Sequence, residues 1–74
     1  MIRYANTGGD SGVEAYEIGE TYIDVKFSDG SCYRYSYASA GREHVEAMKQ
    51  LAKRGEGLNS YIMRKCRQGY ESKC

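Results

Sequence analysis

The stretch Tyr22-Ile23-Asp24-Val25-Lys26-Phe27-Ser28-Asp29-Gly30-Ser31-Cys32-Tyr33-Arg34-Tyr35-Ser36-Tyr37 decides how this chain folds. Apolar and polar residues alternate on both sides of Ser28-Asp29-Gly30, the two-residue period of paired strands around a turn. The length of that turn sets which side chains share a face. With Asp29-Gly30 as a two-residue turn, Arg34 stands opposite Val25 and Asp24 opposite Tyr35, which is poor pairing. A three-residue loop, with Gly30 left-handed in a bulge, moves the register by one. Phe27 then opposes Ser31, Val25 opposes Tyr33, Ile23 opposes Tyr35 and Asp24 opposes Arg34. Apolar meets aromatic and acid meets base along the whole ladder. The three-residue loop is therefore expected, with Tyr33, Tyr35 and Tyr37 on the core side.

Upstream, residues 14–18 read as a first strand turning at Gly19-Glu20. A two-residue turn there sets Tyr16 against Ile23 and brings Tyr16 and Ile18 to the buried face. Val13 falls out of phase, which predicts a bulge near Ala15. Downstream the period becomes helical. Ser39 can cap a helix running to about residue 54, with Gly55 placed to end it. Val45, Met48, Leu51 and Ala52 form one apolar stripe, while Glu43, Glu46, Gln50 and Lys53 fall mostly on the wet side. After Gly55-Glu56-Gly57 a second helix is expected over about 58–68, with Leu58, Tyr61, Ile62 and Cys66 at helical spacing and Gly69 at its end. No proline interrupts the sheet. The expected fold is α+β: a three-stranded antiparallel β-meander followed by two α-helices packed on one face, β-β-β-α-α. Residues 1–12 are expected as a flexible leader, 13–70 as a single domain and 71–74 as a tail.

A chain of 74 residues makes one domain and buries only about 60% of its unfolded surface, so an added constraint or self-association would help it. Its cysteines, Cys32, Cys66 and Cys74, are odd in number and contain no Cys-x-x-Cys pair. Neither a disulfide framework nor a zinc site is indicated, and a Cys32/His44/Cys66 metal set matches no usual ligand spacing. Three free thiols in a reducing compartment are expected, with Cys74 prone to intermolecular disulfides after purification. No segment approaches the about 18 apolar residues of a membrane span, and residues 1–10 lack the apolar core of a signal peptide. The expectation is a cytoplasmic protein without membrane, metal or cofactor. Net charge is +1, yet residues 1–38 carry three basic and six acidic groups and residues 39–74 eight and four, so the halves stand at −3 and +4. Such a bipolar chain suits anion binding at one end or head-to-tail association.

Eight tyrosines without a tryptophan are an excess. Aromatics in a row on a sheet can stack nucleic-acid bases. The register favours a plainer role for Tyr33, Tyr35 and Tyr37, filling a core short of Leu and Phe. Tyr22 points to the opposite face and is the better exposed contact. Arg64, Lys65 and Arg67 cluster on the second helix. With Ser60, Arg64 and Arg67 make a phosphate-facing stripe at i, i+4 and i+7, or else a solvated face whose cations suit a helix C-terminus. Asn59, after a glycine turn, fits a helix cap, or a ligand contact beside a helix N-terminus. Enzyme signals are faint. Cys32 or Cys66 with His44 lacks the surroundings of a nucleophile–base pair, and Glu14, Glu17 and Asp24 share a strand without sign of a pocket. Gly8-Gly9 and Gly55-Glu56-Gly57 match no phosphate-binding loop. No catalysis is expected.

The run Val25-x-Phe27-x-x-Gly30-x-x-Tyr33-x-Tyr35, then a helix, then Gly57-Leu58-Asn59-x-x-Ile62, resembles the KTSC domain over residues 11–64. That small family has a central Tyr-x-Tyr, takes its name from the C-terminus of some lysyl-tRNA synthetases and also occurs as a stand-alone bacterial protein. This chain has Tyr37-Ala38-Ser39-Ala40 where the family has a proline, and Leu58 where it has an aromatic. The resemblance implies RNA binding through Tyr33, Tyr35 and Asn59, to which the charge pattern adds Arg64, Lys65 and Arg67. The leading expectation is a non-catalytic accessory module that binds RNA. The alternative is a module that binds itself or another protein through an open sheet edge and the face carrying Tyr22.

Overall fold

The computed structural model describes residues 1–7 and 12–74. These form strands β1 (Ile2–Arg3), β2 (Val13–Ile18), β3 (Tyr22–Phe27), β4 (Cys32–Ser36) and β5 (Ser72–Lys73), with helices α1 (Tyr37–Ala40), α2 (Arg42–Arg54) and α3 (Leu58–Tyr61). The last helix continues as a π-helical segment, Ile62–Cys66.

The central hairpin has the expected register: Val25 opposes Tyr33, Ile23 opposes Tyr35 and Asp24 opposes Arg34. Phe27 donates its N–H to the Ser31 carbonyl at 2.7 Å, and Gly30 donates to the Phe27 carbonyl at 3.0 Å. Gly30 takes φ +95°, a conformation that an L side chain strains to reach. On the face turned away from the helices, Arg34 donates through Nε and Nη2 to both Asp24 oxygens at 2.7 and 3.0 Å. The Tyr22 ring lies 4.0 Å from the same guanidinium carbon. Between them these contacts bury Asp24, and Tyr22 is half-buried under the arginine rather than a free contact.

The first hairpin differs from expectation. Tyr16 faces Val25, and Ile18 faces Ile23, because the turn sits on Glu20-Thr21 and is closed by a bond from the Gly19 N–H to the Tyr22 carbonyl. The turn moves by one residue and each partner by two, so every side chain keeps its face. Gly19 explains the choice: a Cβ there would lie 2.1 Å from the Tyr22 ring, which covers the bare backbone. The bulge expected near Ala15 is present between Val13 and Ala15.

The antiparallel sheet runs β1-β2-β3-β4-β5, five strands where three were expected. Both additions lie in segments read as leader and tail. Ile2 and Arg3 pair with Tyr16 and Ala15. Tyr4 is 3% exposed, and its hydroxyl accepts the Leu58 N–H at 3.2 Å. The leader reading is thus corrected for residues 1–7, while 8–11 fall outside the described residues. At the other end Ser72 and Lys73 pair with Arg34 and Tyr33. Cys74 forms a disulfide with Cys32, with Cα atoms 5.1 Å apart, and only Cys66 is a free, buried thiol. The expectation of three free thiols is corrected by this pairing. Two-residue strands carry no period, so nothing in the sequence announces them.

The helical half begins earlier than expected. Ser36, not Ser39, is the cap: the two side chains exchange bonds with each other's backbone N–H at 3.2 and 3.0 Å in a capping box. Gly41 then breaks the chain before α2, which ends at left-handed Gly55 as expected. From α2, Val45, Met48 and Ala52 enter the core, while Leu51 is half-buried. They meet Ile23, Val25 and Tyr35 from the sheet, and Leu58, Ile62 and Cys66 from the following helical stretch. Each fully buried aliphatic side chain contributes about 1.5–3 kcal/mol by leaving water. No described helix is long and apolar enough to cross a membrane.

Candidate functional site: an aromatic cleft

A cleft of about 380 Å³ opens where the tip of the β3–β4 hairpin meets the π-helical segment. The hairpin contributes Phe27, Ser28, Asp29 and Ser31, and the inward face of β4 adds Tyr33 and Tyr35. Opposite stand Met63 and Arg67, four residues apart, while Ile62 and Cys66, also four apart, turn into the core. Tyr70, just past the helix, closes the rim.

The rings form a short chain. Phe27 meets Tyr33 edge-on with centroids 6.0 Å apart, and Tyr33 meets Tyr70 at 4.7 Å and a tilt of 48°. The Lys73 ammonium lies 5.9 Å from the Tyr33 ring. Tyr70 and Met63 remain 40% and 47% exposed at the mouth of the cleft.

The cleft carries one charge of each sign. Asp29 accepts from the Ser31 N–H at 3.0 Å and from its hydroxyl at 2.6 Å. The Ser31 hydroxyl, then the Ser31 N–H, hold its carboxyl below the usual carboxylate range. Arg67 faces it from the helical side. Tyr35 is 2% exposed; burial first, then nearby Cys66, pushes its hydroxyl up to about 12. It is a neutral floor at ordinary pH, not a stacking platform.

Of the six residues singled out in the sequence, Tyr33, Tyr35 and Arg67 meet in this cleft. Arg64 and Lys65 are exposed on the same segment but do not line it. None of the three cations forms an ion pair among the described residues. Asn59 does not line the cleft but is half-buried behind it, with Oδ1 3.9 Å from where a Cβ on the lining residue Gly12 would sit. It is not the helix cap either. Gly57 occupies that position with no side-chain cap, and Tyr4 satisfies the Leu58 N–H. Sequence reasoning missed Tyr70 and Met63. Their only signal was two large side chains beside a basic cluster; Met63 is placed by the π-helical segment, and Tyr70 by the remote pairing of β5.

The other candidates disperse. Cys32 is bonded to Cys74, His44 Nδ1 lies 2.7 Å from the Tyr61 hydroxyl, and Cys66 is buried. No group of metal-binding side chains converges among the described residues. Glu14 pairs with Lys26 at 3.7 Å, and Asp24 with Arg34. Buried Lys49 donates to Glu46 at 2.8 Å and to the Glu20 carbonyl at 3.1 Å, and Tyr37 donates to Glu46 as well. That group satisfies itself: the Lys49 bond, then the Tyr37 bond, holds the Glu46 carboxyl low, and the bond to Glu46 pushes the Tyr37 hydroxyl up. Compared with protein families, curated proteins and solved structures, the chain matches none.

Proposed function

We propose that this protein is a non-catalytic module that binds single-stranded RNA, taking a base into the aromatic cleft. The observation that carries the reading is the meeting of Tyr33, Tyr70 and Arg67 on one open cleft. Its volume, about 380 Å³, lies within the about 300–1,000 Å³ typical of small-molecule sites and accommodates a base. A base against Tyr70 and Tyr33 would add its π-face to an existing pair. Arg67 would meet the adjoining phosphate, with Arg64 and Lys65 meeting the next ones along the outer face of the segment. The resemblance to the KTSC domain, a neighbour of tRNA-charging machinery, supports the same ligand class. A catalytic role has less support, because no cluster of nucleophile, base and donor converges on the cleft among the described residues. The Cys32–Cys74 bridge belongs to oxidising conditions, so a cytoplasmic location goes with the reduced form.

Fluorescence anisotropy of a labelled single-stranded RNA octamer at low and moderate salt tests the proposal. Affinity should fall as salt rises. Tyr70→Ala should weaken binding about tenfold, within the range for losing one stacked base. Arg67→Ala should weaken it and lower the salt slope by about one. The double change Arg64→Ala with Lys65→Ala should flatten the salt dependence further with a smaller loss of affinity. No binding at low salt would overturn the proposal.

A second reading rests on the edge strand β1, where Ile2 is 58% exposed beside the preceding Met1 at 56%. An exposed edge with apolar side chains invites pairing with another chain. Light scattering over a wide concentration range decides the homodimer version: a mass that rises with concentration supports it, and a constant monomer mass removes it.

A further inference from the structure

The rim of the cleft is fastened by one covalent tie. Tyr70 and Lys73, the two side chains that cover Tyr33 from the far side, stand on a segment with few other attachments. Glu71 donates its N–H to the Arg34 carbonyl at 2.6 Å, Cys74 donates to the Cys32 carbonyl at 2.9 Å, and β5 is two residues long. Residues 70–74 are all exposed, so little apolar surface holds the segment down. A strand this short gains too little from pairing to stay docked on its own. Cys32, by contrast, opens β4 and stands opposite Lys26 in the five-pair ladder between β3 and β4.

We propose that the Cys32–Cys74 bridge is a redox latch that keeps the Tyr70 wall of the cleft in place, and that its reduction releases this wall. The reductant is a dithiol. One of its thiolates attacks the exposed Cys74 sulfur, the S–S bond breaks, and Cys32 leaves as a thiolate that takes up a proton. The second thiol of the reductant then attacks the mixed disulfide and frees Cys74, which is protonated in turn. The protein gains two electrons and two protons, and the dithiol becomes a cyclic disulfide. The third cysteine stays outside the exchange. Cys66 is buried in the core, and burial pushes its thiol up, away from the reactive thiolate.

Freed from Cys32, residues 70–74 leave β4, and Tyr33 loses the ring of Tyr70 and the ammonium of Lys73. The consequence for a ligand rests on the RNA reading given above; the release of the segment does not.

Amide hydrogen exchange on the oxidised and the dithiothreitol-reduced protein tests the latch without any ligand. On reduction the Glu71 and Cys74 amides should lose protection, while those paired between β3 and β4 keep theirs. Cys74→Ser should behave as the reduced form under both conditions, and Cys66→Ser should keep the full response. Unchanged protection at Glu71 and Cys74, or an intact mass showing no bridge in the air-oxidised protein, would overturn the latch. The labelled RNA octamer is then titrated into both forms, with binding expected to weaken about tenfold on reduction through loss of the Tyr70 stack. An octamer that binds neither form counts against the RNA reading alone, because the exchange data have already decided the latch.

Discussion

The two walls of the cleft are built in opposite ways. The hairpin wall is made mostly by near neighbours: Asp24 and Arg34 are ten residues apart in sequence, and the turn is closed by bonds between Phe27 and Ser31 and between Gly30 and Phe27, with one longer-range bond from the Ser28 N–H to the Gly12 carbonyl. The Tyr70 wall is made by distant ones, joined to β4 through a disulfide that spans 42 residues and a strand of two. A wall closed by local pairs forms at little entropic cost and stays formed whenever the domain is folded. A wall closed across the whole chain depends on the tie that closes it. Under the proposed latch, the cleft would pair a rigid platform with a releasable cover.

Mutations should separate the walls, the largest effect coming first. Ile23→Ala, at a fully buried position opposite Tyr35, should cost about 4 kcal/mol in urea denaturation, and should unfold both walls together. Cys74→Ser should cost about 3 kcal/mol by opening the long loop, while leaving the hairpin amides protected in the folded form. Equal loss of protection in both walls would erase the contrast drawn between them. Gly30→Ala should cost about 1 kcal/mol from backbone strain alone, since an added Cβ meets nothing within 4 Å. That change acts on the hairpin tip and should leave Tyr70 in contact with Tyr33.

The smallest effect at ordinary pH concerns the floor between the walls. Tyr35 ionises near 10.0 when unfolded and is pushed up to about 12 by burial in the fold. Its contribution to stability is complete below pH 10 and is lost as pH rises through 12, because the unfolded chain ionises first. Stability should thus decline over that window, and Tyr35→Phe should remove its share of the decline when denaturation midpoints are compared at pH 9 and pH 11.5.

The same contrast explains what could be read in advance. The hairpin register followed from pairing Val25 with Tyr33 and Asp24 with Arg34, and the bulge near Ala15 followed from the phase of Val13, because local pattern and final contacts coincide there. The α2 stripe and its stop at Gly55 were legible for the same reason. Five features departed from the local reading. β1 and β5 are too short to show a period, and the Cys32–Cys74 bridge depends on β5 being docked. Ser36 took the cap from Ser39 because the two serines bond each other, and either could have opened the helix. Asn59 lost its expected role because a tyrosine from the far end of the chain, Tyr4, satisfies the Leu58 N–H. At the cleft, Tyr33 and Tyr35 were singled out through the family resemblance and Arg67 through its charge, whereas Tyr70 needed the docking of β5 to acquire a partner.

The central claim is that the aromatic cleft receives a base of single-stranded RNA. An NMR titration of isotope-labelled, oxidised protein with an unstructured RNA octamer, at low and then moderate salt, tests it most directly. The account predicts shifts concentrated on Phe27, Tyr33, Met63, Arg67 and Tyr70 that diminish as salt screens the phosphates. An absence of shifts at low salt, or shifts confined to β1 and the Arg34 face of the sheet, would contradict it.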